Sequence, residues 1–218
     1  MILKPTWPAE PLRLPAGEET MRLQAIRTMS ALLVLSGSML SASLAQTGDT
    51  GTLSALPKQY AATAIGQAGG AAGKSFDLTI YITGWTTDDQ LKANIATLKE
   101  KGQDGLVSVM EKTEDVGRLS PTGSVGTGVR FAHYRPTANG GLHMVMATNR
   151  PMSFPELYNS GRSTDYPFTI LSFDVDKDGK GSGTLAPLCK VKFNKKNELE
   201  IENFSQKPLR LENVYLQK

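Results

Sequence analysis

The stretch from Tyr166 to Phe204 decides the fold, and its first part reads Phe168-Thr-Ile-Leu-Ser-Phe-Asp-Val-Asp-Lys-Asp-Gly-Lys180. Leu171, Phe173 and Val175 alternate with other residues, which is the period-2 pattern of a half-buried β-strand. The same alternation returns after each of two short polar segments. The stretch therefore predicts three consecutive antiparallel strands with one apolar face and one charged face.

The length of the first turn follows from the pairing that it produces. A three-residue loop at residues 177–179 sets Leu171 opposite Leu185, so that apolar meets apolar. A two-residue loop would set Leu171 opposite Ala186 and put the two apolar sets on opposite faces, because a slip of one residue turns every side chain over. We therefore predict the three-residue loop, with Gly179 in the left-handed conformation that such loops need.

The second turn, at residues 195–197, passes the same test. A three-residue loop there sets oppositely charged residues against each other on the outer face, and each such pair is worth about 0.2–1 kcal/mol. The predicted pairs are Phe193–Leu199, Val191–Ile201, Lys192–Glu200 and Lys190–Glu202. A fourth strand at Pro208–Leu216 would continue the meander and make Arg210 available to Glu200 or Glu202.

The composition is that of an ordinary globular chain: 218 residues, 39% hydrophobic and 21% charged, with a net charge of +3. Near-neutral, interspersed charge predicts neither a nucleic-acid partner nor binding to an anionic membrane. Cys189 is the only cysteine, so an internal disulfide is impossible. Its place on the apolar face of a strand predicts a buried thiol.

Residues 1–45 have the features of an export leader. A basic start at Met21–Arg27 precedes an apolar run at Met29–Leu40, and small residues at Ser43 and Ala45 fit a signal-peptidase site. The apolar run is too short and too rich in serine for a permanent membrane span. The sequence thus predicts translation from Met21, cleavage after Ala45 and a periplasmic or secreted protein.

The mature chain divides into two parts. Residues 46–75, rich in Gly, Ala, Thr and Gln, are predicted to be a flexible linker, with room for a short helix near Tyr60–Ile65. Residues 76–218 are predicted to form one β-rich globular domain. The fold class is mainly β (α+β): a curled antiparallel sheet, or a small sandwich or barrel, of about seven or eight strands with one helix packed on it.

The remaining elements of this domain carry recognisable end signals. A strand at Asp77–Thr83 precedes a helix that begins with a capping box of Thr87 and Gln90 and ends at Gly102. Leu106–Met110 fits either a short strand or a second helical turn. A hairpin about Asn139-Gly140 joins predicted strands at Val125–Arg135 and Leu142–Thr148.

Two motif matches fail on their context. Ala68–Ser75 matches a relaxed phosphate-loop pattern, but that motif needs a strand before it and a helix after it, and here a linker precedes and a strand follows. Asp174–Gly179 copies the first half of a calcium loop, but Leu185 stands where the bidentate Glu belongs. We predict a charged hairpin tip, with weak calcium binding left open, and neither a cofactor nor a metal site.

His133 and His143 are the only histidines. A two-residue turn at Asn139-Gly140 would put them on opposite faces of the hairpin, whereas a three-residue loop would bring both to one face. Neither lies near an acidic residue or cysteine in the sequence that would complete a metal set or a proton relay. The sequence also lacks a nucleophile elbow and a zinc-protease motif, so no catalytic residue is predicted.

The candidate binding surface is the long connection between residues 150 and 165 with the adjacent hairpin. Arg and Tyr anchor many recognition sites, and loops on a rigid sheet often carry them. The predicted ligand- or partner-binding residues are Arg130, Arg135, Arg150, Tyr158, Arg162, Asp165 and Tyr166. In the alternative interpretation, Arg162 pairs locally with Asp165 and the tyrosines pack against the sheet edge.

Several stretches are considered together, among them Gly84-Trp-Thr-Thr-Asp88, Ala147-Thr-Asn-Arg-Pro151, Gly161-Arg-Ser-Thr-Asp-Tyr-Pro-Phe168 and Ile201-Glu-Asn-Phe204. They resemble a group of uncharacterised exported bacterial proteins. The resemblance implies domain limits near residues 76 and 214, and it implies no activity, cofactor or partner.

These observations favour an exported, non-catalytic module that binds a ligand or an envelope protein. An interior pocket would favour a small apolar ligand, and a flat sandwich would favour a protein partner. The alternative is an exported hydrolase that uses the Arg150–Tyr166 loop and a histidine. That alternative requires His133 or His143 to meet a carboxylate or a hydroxyl in space.

Overall fold

A computed structural model describes residues 53–68, 72–152, 165–204 and 207–217. Within these ranges ten strands form one antiparallel sheet that curls into a nearly closed barrel, with one helix packed on its outside. The mainly β class predicted from the sequence is confirmed. The elements are β1 (Lys58–Ile65), β2 (Ser75–Ile82), α1 (Asp88–Glu111), β3 (Gly117–Pro121), β4 (Thr127–Val129), β5 (Phe131–Pro136), β6 (Leu142–Thr148), β7 (Phe168–Val175), β8 (Lys180–Phe193), β9 (Leu199–Asn203) and β10 (Leu209–Leu216).

The strands lie in the order β4-β3-β2-β1-β10-β8-β7-β6-β5, and β9 pairs with β8. The two ends of this order meet through the chain itself, because only Arg130 separates β4 from β5. The backbone N–H of Arg130 donates to the carbonyl of Ala147 in β6 at 3.0 Å. Strand β8 has 14 residues, so it pairs with β10 along its first half and with β9 along its second.

The predicted register of the central hairpins is confirmed. Leu171 lies opposite Leu185 across β7 and β8, and the N–H of Asp176 donates to the carbonyl of Lys180 at 2.8 Å to close the three-residue loop. Gly179 has φ 75°, in the left-handed region. All four pairs predicted for the next turn are present between β8 and β9: Phe193–Leu199, Val191–Ile201, Lys192–Glu200 and Lys190–Glu202.

Large side chains fill the interior of the barrel. Alternate residues of each strand point inward, as the pleat requires. Tyr60 and Phe173 are fully buried there, and their rings meet edge-on with 5.5 Å between centroids. Other fully buried members of this core are Leu78, Ile80, Ile82, Leu119, Leu142, Met144, Met146, Leu171 and Leu185.

Helix α1 begins as predicted but does not end as predicted. The hydroxyl of Thr87 accepts from the N–H of Gln90 at 3.2 Å, and the Gln90 side chain accepts from the N–H of Thr87 at 2.9 Å, which completes the capping box. The predicted end at Gly102 is wrong: the chain kinks there with φ 66° and ψ −165°, then continues as helix to Glu111. Leu106–Met110 is therefore helical.

A second apolar cluster explains why the helix resumes after the kink. Apolar side chains on both sides of Gly102 pack on the outer face of the barrel. The free energy gained by burying them outweighs the tendency of the helix to end at Gly102. The buried members are Leu98, Met110, Phe168, Ala186, Cys189 and Val191. The predicted buried thiol is confirmed, since Cys189 is 0% exposed.

Lys58–Ile65 was expected to lie in the linker, and it is instead strand β1 in the middle of the sheet. Tyr60, Ala62 and Ala64 alternate as its buried residues. The period-2 signal is weak because two of the three inward residues are alanines, which bury little area and have low β propensity. The folded part therefore begins before Phe76.

Three further elements differ from the sequence-based expectation. Strand β10 pairs with β8 and β1 rather than with β9, so Arg210 forms an ion pair with Glu212 at 3.0 Å and not with Glu200 or Glu202. The segment expected as one strand from Val125 is broken at Arg130 into β4 and β5. The β3–β4 hairpin was not predicted, and with β1 it raises the strand number to ten.

In the described ranges no helix is long and apolar enough to cross a bilayer.

Candidate functional site

The residues predicted to form a binding surface lie on different elements. Arg130 has its Nε 3.0 Å from the carboxylate of Asp115, and its guanidinium also donates to the carbonyl of Thr113. These contacts tie the segment after α1 to the barrel. Arg135 lies on β5 directly opposite His143. Arg130 and Arg135 thus make different local contacts, and their predicted roles in binding stay predictions.

The rest of the predicted surface is described only in part. Arg150 is exposed, and its backbone carbonyl accepts hydrogen bonds from two threonine hydroxyls. Asp165 is also exposed, and its carbonyl accepts from the side chain of Gln103 in α1 at 3.0 Å. Tyr158 and Arg162 lie outside the described residues. Their predicted roles stay predictions.

Tyr166 belongs to a charged cluster on β8 and β9. Its hydroxyl donates to Glu202 at 2.7 Å, and Lys190 lies 3.1 Å from Glu202 and 4.8 Å from the centre of the Tyr166 ring. The hydrogen bond from Tyr166 lowers the pKa of Glu202 to about 2, aided by Lys190 and Lys192. Every charge in this cluster has a partner within the fold, so the cluster is better suited to holding β8 and β9 together than to binding a ligand.

A groove of about 740 Å³ lies at the end of the barrel where β1 begins and β10 ends. It was not predicted, because its floor belongs to the segment expected to be linker. The signal that could have revealed it is the pair of tyrosines at outward positions of β2 and β10. The lining residues are Pro57, Lys58, Gln59, Tyr81, Tyr215, Leu216 and Gln217.

Two exposed tyrosines bound this groove. Tyr81 lies opposite Gln59 and Tyr215 lies opposite Ala61, so both rings stand on the outer face with β1 between them. Tyr81 is 39% exposed and Tyr215 is 47% exposed. Two strand spacings and a two-residue offset separate their Cα atoms by roughly 12 Å.

An amide pair lies between the tyrosines. The side chain of Gln59 donates from Nε2 to Oε1 of Gln217, and the backbone N–H of Gln217 donates to the carbonyl of Gln59 at 2.8 Å. Within the described residues, the remaining amide atoms of this pair, Gln59 Oε1 and Gln217 Nε2, have no hydrogen-bond partner. One acceptor and one donor therefore remain on this surface, held in place by the bond between the two amides.

A second polar arrangement lies on the outer face of β6 and β7. His143 is opposite Asp174, and its Nδ1 lies 2.7 Å from the carboxylate of Asp174. Its Nε2 lies 3.5 Å from the hydroxyl of Ser172. His143 is 9% exposed, so the ring is held by its neighbours. The requirement that a histidine meet a carboxylate or hydroxyl is thus met, at residues outside the predicted loop.

The two histidines lie on the same face of their hairpin. The N–H of Thr137 donates to the carbonyl of Gly141 at 2.9 Å, which makes the loop three residues long, as in one of the two alternatives considered. His133 Nε2 lies 3.1 Å from Asp88 at the start of α1. In the described part of the chain His133 has no hydroxyl partner, so it differs from His143 in that respect.

Two carboxylates of the acidic hairpin tip, those of Asp174 and Asp176, are used within the fold. Asp176 accepts hydrogen bonds from the N–H groups of Asp178 and Lys180, both at 2.9 Å, and Asp174 is bound to His143. Among the described residues no group of three or more His, Cys, Asp or Glu side chains is placed to hold a metal ion. The tip therefore acts as a turn that its own carboxylate stabilises.

No protein-family model, curated protein or solved structure matches the chain. Function is therefore inferred from the two surfaces themselves. The groove offers shape, aromatic rings and free amide groups, and the His143 cluster offers a chain of hydrogen-bonded groups.

Proposed function

We propose that this protein is a binding module that holds an oligosaccharide, without catalysis at that site, in the groove between Tyr81 and Tyr215. The observation that carries the proposal is two exposed tyrosines on one face with an amide pair between them. A tyrosine ring offers a flat apolar face and a polar hydroxyl, which suit the C–H face and the hydroxyls of a sugar ring. The free amide oxygen and nitrogen of Gln59 and Gln217 suit the hydroxyls of the next ring.

The spacing of the tyrosines favours a chain of sugars over a single sugar. Their Cα atoms are roughly 12 Å apart, so one ring cannot contact both side chains closely. The filled interior of the barrel argues against a buried apolar ligand. Lys58 at the rim adds a charged donor. Affinity is expected to rise with chain length until both tyrosines are covered.

We further propose that the protein is exported, because the leader features of residues 21–45 suit a module that acts on polysaccharides outside the cytoplasm. Intact mass spectrometry of protein recovered from the periplasm or medium is expected to show Gln46 as the first residue. Protein that accumulates in the cytoplasm with its leader attached would contradict export.

Affinity electrophoresis tests the binding proposal directly. Native gels containing a soluble β-glucan, xylan or glycol chitin are expected to retard the wild-type protein in at least one case. Tyr81→Ala and Tyr215→Ala should each remove the retardation, since aromatic anchors carry a large share of binding energy at such sites. Both side chains are exposed, so neither change should unfold the protein.

Val125→Ala provides the matched control. Val125 is 82% exposed and lies outside the groove, so its loss removes exposed apolar surface without touching the tyrosines. This variant should be retarded like the wild type. Equal retardation of the wild-type, Tyr81→Ala and Tyr215→Ala proteins would show that any saccharide binds elsewhere.

A further inference from the structure

The contacts of His143 have the order of a serine-hydrolase triad. A carboxylate, an imidazole and a hydroxyl follow one another as Asp174, His143 and Ser172, with distances of 2.7 Å and 3.5 Å. Such a triad is recognised by geometry and roles rather than by position in the sequence. We propose that Ser172 is a nucleophile activated by His143 and Asp174, in a site that hydrolyses short-chain carboxylic esters.

The fold fixes this arrangement through strand register. Ser172 and Asp174 are two residues apart on β7 and so share its outer face, while His143 stands on β6 opposite Asp174. The neutral imidazole with its proton on Nδ1 donates to Asp174 and leaves Nε2 free to accept from Ser172. The 3.5 Å contact is long, and such contacts commonly shorten when substrate binds.

The reaction balances with water as the only co-reactant. Ser172 Oγ bonds to the ester carbonyl carbon as its proton passes to His143 Nε2. The bond from that carbon to the alcohol oxygen then breaks, and His143 gives the proton to the departing alcohol. Water attacks the acyl-serine, loses a proton to His143 and releases the carboxylic acid, after which the proton returns to Ser172. Asp174 holds the imidazole and stabilises its charged form throughout.

The surroundings of Ser172 limit the substrate and the rate. The backbone N–H groups of β7 and β8 here belong to the sheet ladder, so the oxyanion must be held by side chains. Thr184 lies opposite Ser172, and Arg210 lies opposite Thr184 on the same face. Val145 is the apolar neighbour opposite Ser172 and offers contact for a small acyl group such as acetyl. Because the loss of one oxyanion donor costs about 10²–10³-fold, slow turnover is expected.

A fluorophosphonate probe and p-nitrophenyl acetate together test the proposal on the full protein. The probe is expected to form a covalent phosphonyl adduct at Ser172, located by peptide mass spectrometry. Ser172→Ala should carry no adduct, and His143→Gln should react about 10²-fold more slowly, the usual share of a general base. The rate of acetate release from p-nitrophenyl acetate should likewise be highest for the wild type, lower for His143→Gln and lowest for Ser172→Ala.

The barrel supplies a matched control for each change. Ser182 lies opposite Asp174 on the same face, and His133 binds Asp88 without a hydroxyl neighbour in the described residues. Ser182→Ala and His133→Gln should therefore react like the wild type, as should Val125→Ala, which changes an exposed side chain that takes no part in either site. Melting curves show whether each variant is folded.

Absence of any adduct on the wild-type protein would overturn the proposal. An adduct on a serine other than Ser172 would do so as well, as would unchanged acetate release by folded Ser172→Ala.

Discussion

The ring of Tyr60 meets the ring of Phe173 edge-on inside the barrel, with 5.5 Å between their centroids. One ring comes from β1 and the other from β7, so the contact spans the interior between two strands that are not neighbours in the sheet. Side chains of this size fill the interior of the barrel, so the interior is a packed core. The proposed binding site therefore lies on the outside of the barrel, where Tyr81 and Tyr215 stand.

Tyr60→Phe is expected to stabilise the protein. Burial raises the pKa of Tyr60 to about 12, and its hydroxyl has no hydrogen-bond partner in the described residues. A buried unsatisfied hydroxyl costs about 1–3 kcal/mol, so its removal should raise the free energy of unfolding by about 1 kcal/mol. Urea denaturation measures the change.

Tyr60→Ala is the contrasting variant for the same site. It removes the ring as well as the hydroxyl, and it should lower the free energy of unfolding by about 3–5 kcal/mol. If Tyr60→Phe were itself destabilising by more than about 1 kcal/mol, the hydroxyl would have to have a partner, such as a buried water.

The thiol of Cys189 should be unreactive in the folded protein. It is 0% exposed, and burial raises its pKa to about 12, so almost no thiolate forms at pH 8. Ellman's reagent at pH 8 should react with less than a tenth of the protein before unfolding and with one thiol per chain in urea. Rapid reaction of the native protein would mean that α1 leaves the barrel readily.

Gly102→Ala should destabilise the protein by about 1–3 kcal/mol, the cost of placing a side chain at φ 66° and ψ −165°. A Cβ there would meet no atom within 4 Å, so the cost lies in the backbone and not in a clash. Urea denaturation again gives the value. The opposite sign would be diagnostic, since a straight helix would gain about 1 kcal/mol from the same change.

Glu202→Gln should lower the stability of the folded protein at neutral pH, and this destabilisation should disappear in acid. The folded-state pKa of Glu202 is about 2, below the ordinary value of 4.5, because of Tyr166, Lys190 and Lys192. The ionised carboxylate therefore stabilises the fold fully above pH 4.5, and this contribution fades as the pH falls from 4.5 towards 2.

Melting temperatures of the wild type and Glu202→Gln, measured from pH 7 to pH 2, should converge over that window. Glu200→Gln removes only the 3.8 Å contact with Lys192 and serves as the control, with a smaller difference at every pH. Parallel pH curves for wild type and Glu202→Gln would contradict the depressed pKa.

The fold could be predicted where the hydrophobic pattern is strong and agrees with the turn chemistry, and it could not where that pattern is weak. Leu171 faces Leu185 across a three-residue loop, so the hydrophobic pattern and the turn chemistry specify the same register. Strand β1 has no such loop to β10, and two of its three inward residues are alanines. Both its pairing with β2, the next strand in the sequence, and its pairing with the distant β10 were therefore missed.

The candidate sites were missed because their residues lie far apart in the sequence. Tyr81 and Tyr215 become neighbours only because β1 lies between β2 and β10. His143 meets Asp174 only because β6 pairs with β7, across the long connection that starts at residue 149. In each case the side chains were visible in the sequence, and their proximity was set by a non-local strand pairing.

An NMR titration tests the central claim most directly, because the side-chain amide signals of glutamine report on the groove. The labelled protein would be titrated separately with the β-1,4-linked hexasaccharides of glucose and of N-acetylglucosamine. The proposal predicts that one of them shifts the amide signals of Gln59 and Gln217. The amide signal of Gln103, a residue of α1 that forms hydrogen bonds with Asp165 and Val191, should not shift. Shifts at Gln103 with none at Gln59 and Gln217, or no shifts with either sugar and no retardation by any polysaccharide, would contradict the assignment of the groove as a saccharide site.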